Sequence, residues 1–319
     1  MSFSLTVKNE LARLKAAKPC CQLAELAALA RMDGIIQISG AQQTALHIHN
    51  ENAAVARKIF SYVKDIFDVH ADILVRRKVR LRKNNVYAVR IQSRQKIRTI
   101  LENLGLMEQD GQLTEGIKGD FVKKDCCRRS FLRGVFLGGG SVNDPEGTYH
   151  LEITTNDPQL SQDICRLLKK YGLPAKVSSR KNWYVVYLKG SEEIVNLLNV
   201  MGAHAALLNF ENVRIYKGMR NQVNRIVNCE TANLNKTVNA AVKQVEDINY
   251  IEEAMGLRKL PASLREVAEL RLLYPDTSLK EMGEMLVPKV GKSGVNHRLR
   301  RLSKIAEDLR GRDGGGIQI

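Results

Sequence analysis

Cysteine is scarce and badly spaced for familiar roles: six residues in a chain of 319, with no Cys-x-x-Cys pair anywhere. That pattern makes neither a disulfide framework nor a zinc site, so the thiols are expected to be reduced and mostly structural, with no metal and no cofactor. Long apolar runs are missing too. The opening MSFSLTVKNELARLK lacks the apolar core of a signal peptide, and nothing elsewhere approaches the roughly 18 residues of a membrane span. The expected location is therefore the cytoplasm, without a membrane partner. Two apparent motifs also fail. Gly291-Lys292-Ser293 looks like the end of a phosphate-binding loop, but the first glycine of that motif would fall at Leu286. His47 and His49 share a strand face without a Cys or acidic set to complete a metal site.

Acidic residues are outnumbered. With 50 Lys and Arg against 34 Asp and Glu, the formal net charge is +16, and such an excess is the footprint of a polyanion binder. A content of 44% hydrophobic residues excludes a disordered chain and supports two or three domains.

One stretch occurs twice. Leu26 to Gly34 reads LAALARMDG and Leu132 to Gly140 reads LRGVFLGGG, each after a Cys-Cys pair, Cys20-Cys21 and Cys126-Cys127, in a constant register of 106 residues. In the first copy a helix carries Leu23, Leu26, Ala27 and Ala30 on one face and ends at Gly34. The period then falls to two at Ile36, Ile38, Leu46 and Ile48, predicting a hairpin that turns near residues 40 to 43. A helix from about Asn52 to Phe67, a second hairpin from Val69 to Arg82 and Val86 to Ile91, and a helix from Arg94 to Leu104 complete the unit. The second copy answers with strand Leu151 to Thr155, helix Gln159 to Tyr171, strand Trp183 to Leu188 and helix Ile194 to Gly202. The predicted class is α+β, a duplicated αββαββα unit.

From Ile73 to Arg98 there are ten Lys or Arg residues and no Asp or Glu. Arg76, Lys78, Arg80 and Arg82 fall on this hairpin, with Val79 and Leu81 alternating, so one strand face is cationic and is a candidate secondary DNA contact. The competing reading is a solubilising edge strand.

No proline lies between Pro174 and Pro261. Helical periods run from about Leu207 to Met255, and the Asn-rich stretch from Asn228 to Asn233 suggests a break between two long helices. Beyond it, Ser263-Leu264-Arg265-Glu266 and Ser278-Leu279-Lys280-Glu281 both match the capping box, placing helix starts near 263 and 278. A third helix opens at Ser293 with Val295, Leu299, Leu302, Ala306 and Leu309 on its apolar face. Three short helices of this kind predict a helix-turn-helix whose third helix enters the major groove. Ser293, Asn296, His297 and Arg300 are then the base-reading candidates, and Lys292, Arg298, Arg301 and Lys304 the phosphate contacts.

The doubled unit, with its small-residue helix ending Asp-Gly or Gly-Gly, resembles the LAGLIDADG homing endonuclease fold. That resemblance implies two namesake helices packed through Ala27, Ala28 and Gly134 beneath a saddle of two sheets over DNA. It also implies one metal-holding carboxylate from each helix. Asp33 fills the first position; Gly139 stands at the second and supplies no ligand, so both are vestigial catalytic positions and no enzyme is expected. Joined to a helix-turn-helix carrying KSGVNHRLRRL, the whole is similar to the WhiA family of bacterial DNA-binding regulators. The family implies roles in sporulation, cell division and chromosome segregation, double-stranded DNA as partner, and a nucleoid-associated place in the cell. The expected boundaries are 1–205 for the saddle (repeats about 20–105 and 126–202), 206–257 for a helical connector, 258–310 for the helix-turn-helix and 311–319 for a flexible tail. A surviving nuclease and a scaffold that does not bind DNA stay open as alternatives, as do a homo-oligomer and a partner in the transcription machinery.

Overall fold

A computed structural model describes residues 2–39, 43–77, 85–93 and 95–313, divided into two compact units, Met1–Gly218 and Met219–Ile319. The first opens with α1 (Phe3–Arg13). Its first repeat is α2 (Pro19–Asp33), β1 (Gly34–Ser39), β2 (Gln43–Asn50), α3 (Ala53–Phe67), β3 (Ala71–Arg77), β4 (Asn85–Ile91) and α4 (Ile97–Asn103). The second is α5 (Asp125–Gly139), β5 (Gly140–Val142), β6 (Leu151–Thr155), α6 (Pro158–Lys169), β7 (Lys176–Arg180), β8 (Trp183–Leu188) and α7 (Ser191–Met201). The strands form two antiparallel sheets of matching order, β1-β2-β4-β3 and β5-β6-β8-β7. The duplicated α+β unit is thus present as the periodicity predicts.

Local chemistry sets these elements. Asn52 caps α3 by accepting from the Ala54 amide at 2.8 Å, and Val55, Ile59, Tyr62 and Val63 then line a buried face at helical spacing. Asp157 caps α6 in the same way, accepting from Leu160 N at 2.9 Å. In β2 the alternation buries Leu46, Ile48 and Asn50 and turns His47 and His49 to the other face.

The two repeats meet along α2 and α5, and backbone approaches side chain there. A Cβ added to Gly134 would lie 2.4 Å from the Glu25 carbonyl oxygen and 2.7 Å from Ala28 Cβ, so only glycine permits this crossing. Beside it a charged cluster is buried, with half-buried Arg133 at its edge. Glu25 accepts from Lys58 Nζ at 2.5 Å, from Tyr62 Oη at 3.2 Å and from Arg133 at 3.4 Å. Lys58 also donates to the carbonyls of Leu11 and Leu14, and Tyr62 Oη accepts from Ala16 N. Burial pushes the Glu25 carboxyl up and Lys58 down, and each is the chief opposing influence on the other.

α8 (His204–Met255) corrects the sequence reading. It is one helix of 52 residues, without the break expected at Asn228 to Asn233. Asparagine is a mediocre helix former and not a breaker, and the stretch holds no proline. Asn233 stays inside the helix, its side chain donating to Cys229 Sγ and its carbonyl accepting from Thr237 Oγ1 at 3.0 Å. At the start of α8 the Glu10 carboxylate accepts from the amides of Ala205 and Ala206.

In the second unit α9 (Ala262–Leu273), α10 (Leu279–Met285) and α11 (Lys292–Asp313) enclose Leu264, Val267, Met282, Val295, Leu299, Leu302 and Ala306. Ile248 and Ile251, from the last turns of α8, complete that core. The end of the expected connector is therefore part of the three-helix module. One capping box is real: Ser278 Oγ accepts from Glu281 N and the Glu281 carboxylate from Ser278 N. The other is not. Pro261 stands at the N-cap of α9, its carbonyl takes the amides of Leu264 and Arg265, and Ser263 lies inside the helix without a capping bond. Helix α11 continues through Gly311 to Asp313, and the remainder of the expected tail lies outside the described residues.

Candidate nucleic-acid interface

The turn between α10 and α11 is tight because of one glycine. A Cβ on Gly283 would sit 2.0 Å from the Val290 carbonyl oxygen, and the Gly283 carbonyl accepts from Val290 N at 2.9 Å. The turn between α9 and α10 is held by Arg271, a buried residue that donates to the carbonyls of Pro275 at 3.0 Å and Thr277 at 2.8 Å. These two clamps set the angle at which α11 leaves the module.

On α11 the buried residues Val295, Leu299, Leu302 and Ala306 occupy one side. Ser293, His297, Arg300 and Lys304, at i, i+4, i+7 and i+11, form an exposed stripe on the opposite side, flanked by exposed Arg301 and Lys292. Among the described residues Lys292, Arg300, Arg301 and Lys304 make no salt bridge. Their charge faces solvent uncompensated. Two candidates stand apart from the stripe. Arg298 is half-buried and donates to the Ser263 carbonyl at 3.3 Å, tying α11 to α9. Asn296 is half-buried at the edge of a cavity of about 900 Å³ that Val238, Val242, Arg271 and Lys292 also line.

In the first unit the outward face of the β1–β4 sheet carries His47 paired with Arg90, His49, and Arg76 at the end of β3. The two imidazoles stack at 6.2 Å between centroids. Burial first, and then the neighbouring arginines, hold both rings below the ordinary histidine pKa, so they are neutral near pH 7. The equivalent face of the second sheet presents Glu152, Thr154 and Tyr187, with His150 3.2 Å from the Glu152 carboxylate. Both described faces carry cations beside an acid: Asp72 stands opposite Arg90 on the first sheet, and Lys176 and Arg180 share the face of Glu152 and Tyr187 on the second. Lys78, Arg80 and Arg82 lie outside the described residues.

At the far end of the paired helices, Asp33 closes α2 and Gly139 closes α5. Asp33 accepts from Asn50 Nδ2 at 3.1 Å, and Asn50 also donates to the Leu137 carbonyl. Burial raises the Asp33 pKa to about 6 against the opposing effects of Asn50 and Lys8. The glycine side is closed. A Cβ on Gly139 would lie 2.3 Å from Met32 Cε and 2.4 Å from the Thr154 carbonyl oxygen. The first contact could relax, but the second is backbone, so no second carboxylate can be accommodated without moving β6. Asp33 lines a cleft of about 930 Å³ with Lys8, Asn50 and Glu51, but the α5 end contributes Gly139 and no carboxylate, where two-metal hydrolysis draws one from each helix.

Sequence reasoning missed Asn50, Lys8 and the Glu25 cluster, because charge buried by tertiary packing leaves no periodic signal. It also missed a convergence of thiols. Cys20, Cys21, Cys126 and Cys127 bring their Sγ atoms within 4.8 Å of one another at the starts of α2 and α5. The usable signal was the shared 106-residue offset of the two pairs.

The fold and its surfaces define a class: a duplicated LAGLIDADG-like domain followed in the same chain by a helix-turn-helix. Three family models match in order, the WhiA N-terminal LAGLIDADG-like domain over residues 19–107, the WhiA LAGLIDADG-like domain over 128–220 and the WhiA C-terminal HTH domain over 223–306. The "Probable cell division protein WhiA" of Desulforamulus reducens is 61% identical over 97% of both chains. That of Heliobacterium modesticaldum is 58% identical over 99% of this chain and 98% of its own. Full-length DUF199/WhiA from Thermatoga maritima aligns in structure with a TM-score of 0.60 and 25% identity, covering 97% of this chain and 99% of the other. The chain belongs to the WhiA family. No helix among the described residues is long and apolar enough to cross a membrane.

Proposed function

We propose that this chain is a sequence-specific binder of double-stranded DNA, acting as a transcriptional regulator in cell division and chromosome segregation, without nuclease activity and in association with the nucleoid. The observation that carries the reading is the stripe Ser293, His297, Arg300 and Lys304, exposed on α11 opposite its buried face, with no acidic partner for its cations among the described residues. In a helix-turn-helix the first turns of the third helix reach base edges. Ser293, Asn296, His297 and Arg300 are assigned to bases, Arg300 suiting the two acceptors of a guanine edge. Lys292, Arg298, Arg301 and Lys304 are assigned to phosphates, Arg298 also donating to the Ser263 carbonyl of α9. Arg76 and Arg90 on the first sheet offer a second, weaker contact, to which Lys78, Arg80 and Arg82 would add. The name of the relatives, probable cell division protein WhiA, supports the link to cell division. The lack of a carboxylate from the α5 end and the closed wall at Gly139 support loss of cleavage.

The test is selection of bound duplexes from a random pool by the full chain, followed by the same selection with Arg300→Ala. The wild type is expected to enrich one motif. The variant should keep affinity for duplex DNA and lose discrimination at one position by roughly 1–3 kcal/mol. An unchanged motif would refute the assignment, and Mg²⁺-dependent nicking abolished by Asp33→Ala would restore the nuclease reading.

A further inference from the structure

The starts of α2 and α5 hold the only place among the described residues where three or more potential metal ligands converge. The four thiols there are Cys20 and Cys127, Cys21 and Cys126, all unbridged. Cys21 and Cys127 are buried, Cys20 and Cys126 half-buried. Cys126 Sγ lies 4.0 Å from Cys127 Sγ, and no pair in the set is farther apart than 4.8 Å. A tetrahedral zinc with Zn–S bonds of about 2.3 Å has sulfurs about 3.8 Å apart. The thiols are therefore within about 1 Å of that geometry, and too close together to span a four-iron cluster. We propose that Cys20, Cys21, Cys126 and Cys127 form a mononuclear tetrathiolate site for zinc that clasps the two repeats together.

Three further observations fit. The pairs are equivalent positions of a duplicated unit, kept as cysteine in both copies although the opposite ends of the same helices diverged to Asp33 and Gly139. Inert buried thiols would face no demand to match across the repeats. Each pair lies in the first turn of a 15-residue helix, so the positive ends of two helix dipoles face sulfurs that must ionise, and Lys18 adds its charge beside Cys126. A cleft of about 410 Å³ lined by Lys18, Cys21, Cys126 and Arg129 gives a cation a way in.

Without metal, the thiols cannot all ionise side by side. Burial and the neighbouring sulfurs push Cys21 to about 11 and Cys127 to about 12, while hydrogen bonding from Cys21 draws Cys126 down. On zinc uptake four Zn–S bonds form and the thiol protons pass to solvent, with no change of oxidation state. Because the ligands come in equal number from α2 and α5, the ion would lock the helix pair at the end remote from Asp33.

The test uses the reduced full-length chain. Purified from zinc-supplemented cells, it is expected to contain one zinc per chain by elemental analysis. Cobalt exchanged into the site should show the intense visible bands and sulfur-to-cobalt charge transfer of a tetrahedral thiolate. The stripped protein should regain zinc with proton release and half-saturation at or below about 10 nM. Cys20→Ser with Cys126→Ser alters only the half-buried ligands and should weaken uptake by more than about 100-fold, leaving circular dichroism unchanged. Absence of metal uptake by the reduced wild type would overturn the site without reference to any variant. So would a cobalt spectrum that survives in the double variant. Isolation with disulfides between the pairs, and no metal binding after reduction, would overturn it in favour of a covalent clasp.

Discussion

Replacing Asp33 by asparagine separates the geometry of the old acidic position from its charge. Burial raises this carboxyl from 3.8 to about 6. Between those values the folded chain holds a proton that the unfolded chain has released, so stability falls as pH rises from about 4 to about 6 and levels off above. A shift of about two units corresponds to about 3 kcal/mol at neutral pH, taken as a ceiling because relaxation around the ionised group lowers it. Asparagine keeps the shape, and its carbonyl can still accept from Asn50. Asp33→Asn should therefore be more stable than the wild type by up to about 3 kcal/mol near pH 7.5 and equal to it near pH 4. Urea unfolding from pH 4 to 8 can be followed through Trp183, the single tryptophan of the chain, which lies on β8 in the first unit. A variant whose stability runs parallel to the wild type across this range, or falls below it at pH 7.5, would refute the reasoning.

Glu25→Gln leaves Lys58 and Arg133 in the interior without their counter-charge, and the first unit should lose about 3–5 kcal/mol in the same urea assay. Ser278→Ala removes one half of the capping box on α10 and should cost the second unit about 1 kcal/mol, read as a lower transition in far-ultraviolet circular dichroism. Lys304→Ala should weaken binding to all duplexes alike and reduce the slope of log K against log salt by about one, in contrast to the positional effect of Arg300→Ala.

The duplication was legible in the sequence because it leaves two independent marks. A 106-residue register runs from the cysteine pairs through the namesake helices, and the switch from helical to strand period that follows it is observed in β1, β2 and β6. The three helices of the second unit were legible for a local reason: the Ser278 box acts within a turn of where it stands, and Val295, Leu299, Leu302 and Ala306 recur at helical spacing. What failed was tertiary. Whether Asn228 to Asn233 breaks α8 depends on helix continuity that no local breaker decides. Ser263 has the right spacing for a cap, but Pro261 begins the helix before it. The bond from Arg298 to the Ser263 carbonyl joins two helices and has no linear signature. The four thiols obey no linear ligand spacing because the folding of two repeats, and not a loop, brings them together.

The close crossing at Gly134 has a consequence for how the two halves could change. Two separate copies of one repeat, associated about a two-fold axis, would alter both sides of the crossing with every substitution. Once both halves lie on one chain, each can change alone. Glycine is needed at position 134 on α5, while the equivalent position on α2 is Ala28, whose methyl it accommodates. The same freedom lets one helix end in a carboxylate and the other in a packed glycine, and lets one sheet pair His47 with Arg90 where its twin pairs Glu152 with Tyr187. The fold is symmetric in its backbone and asymmetric in the side chains it sets at its helix ends and sheet faces.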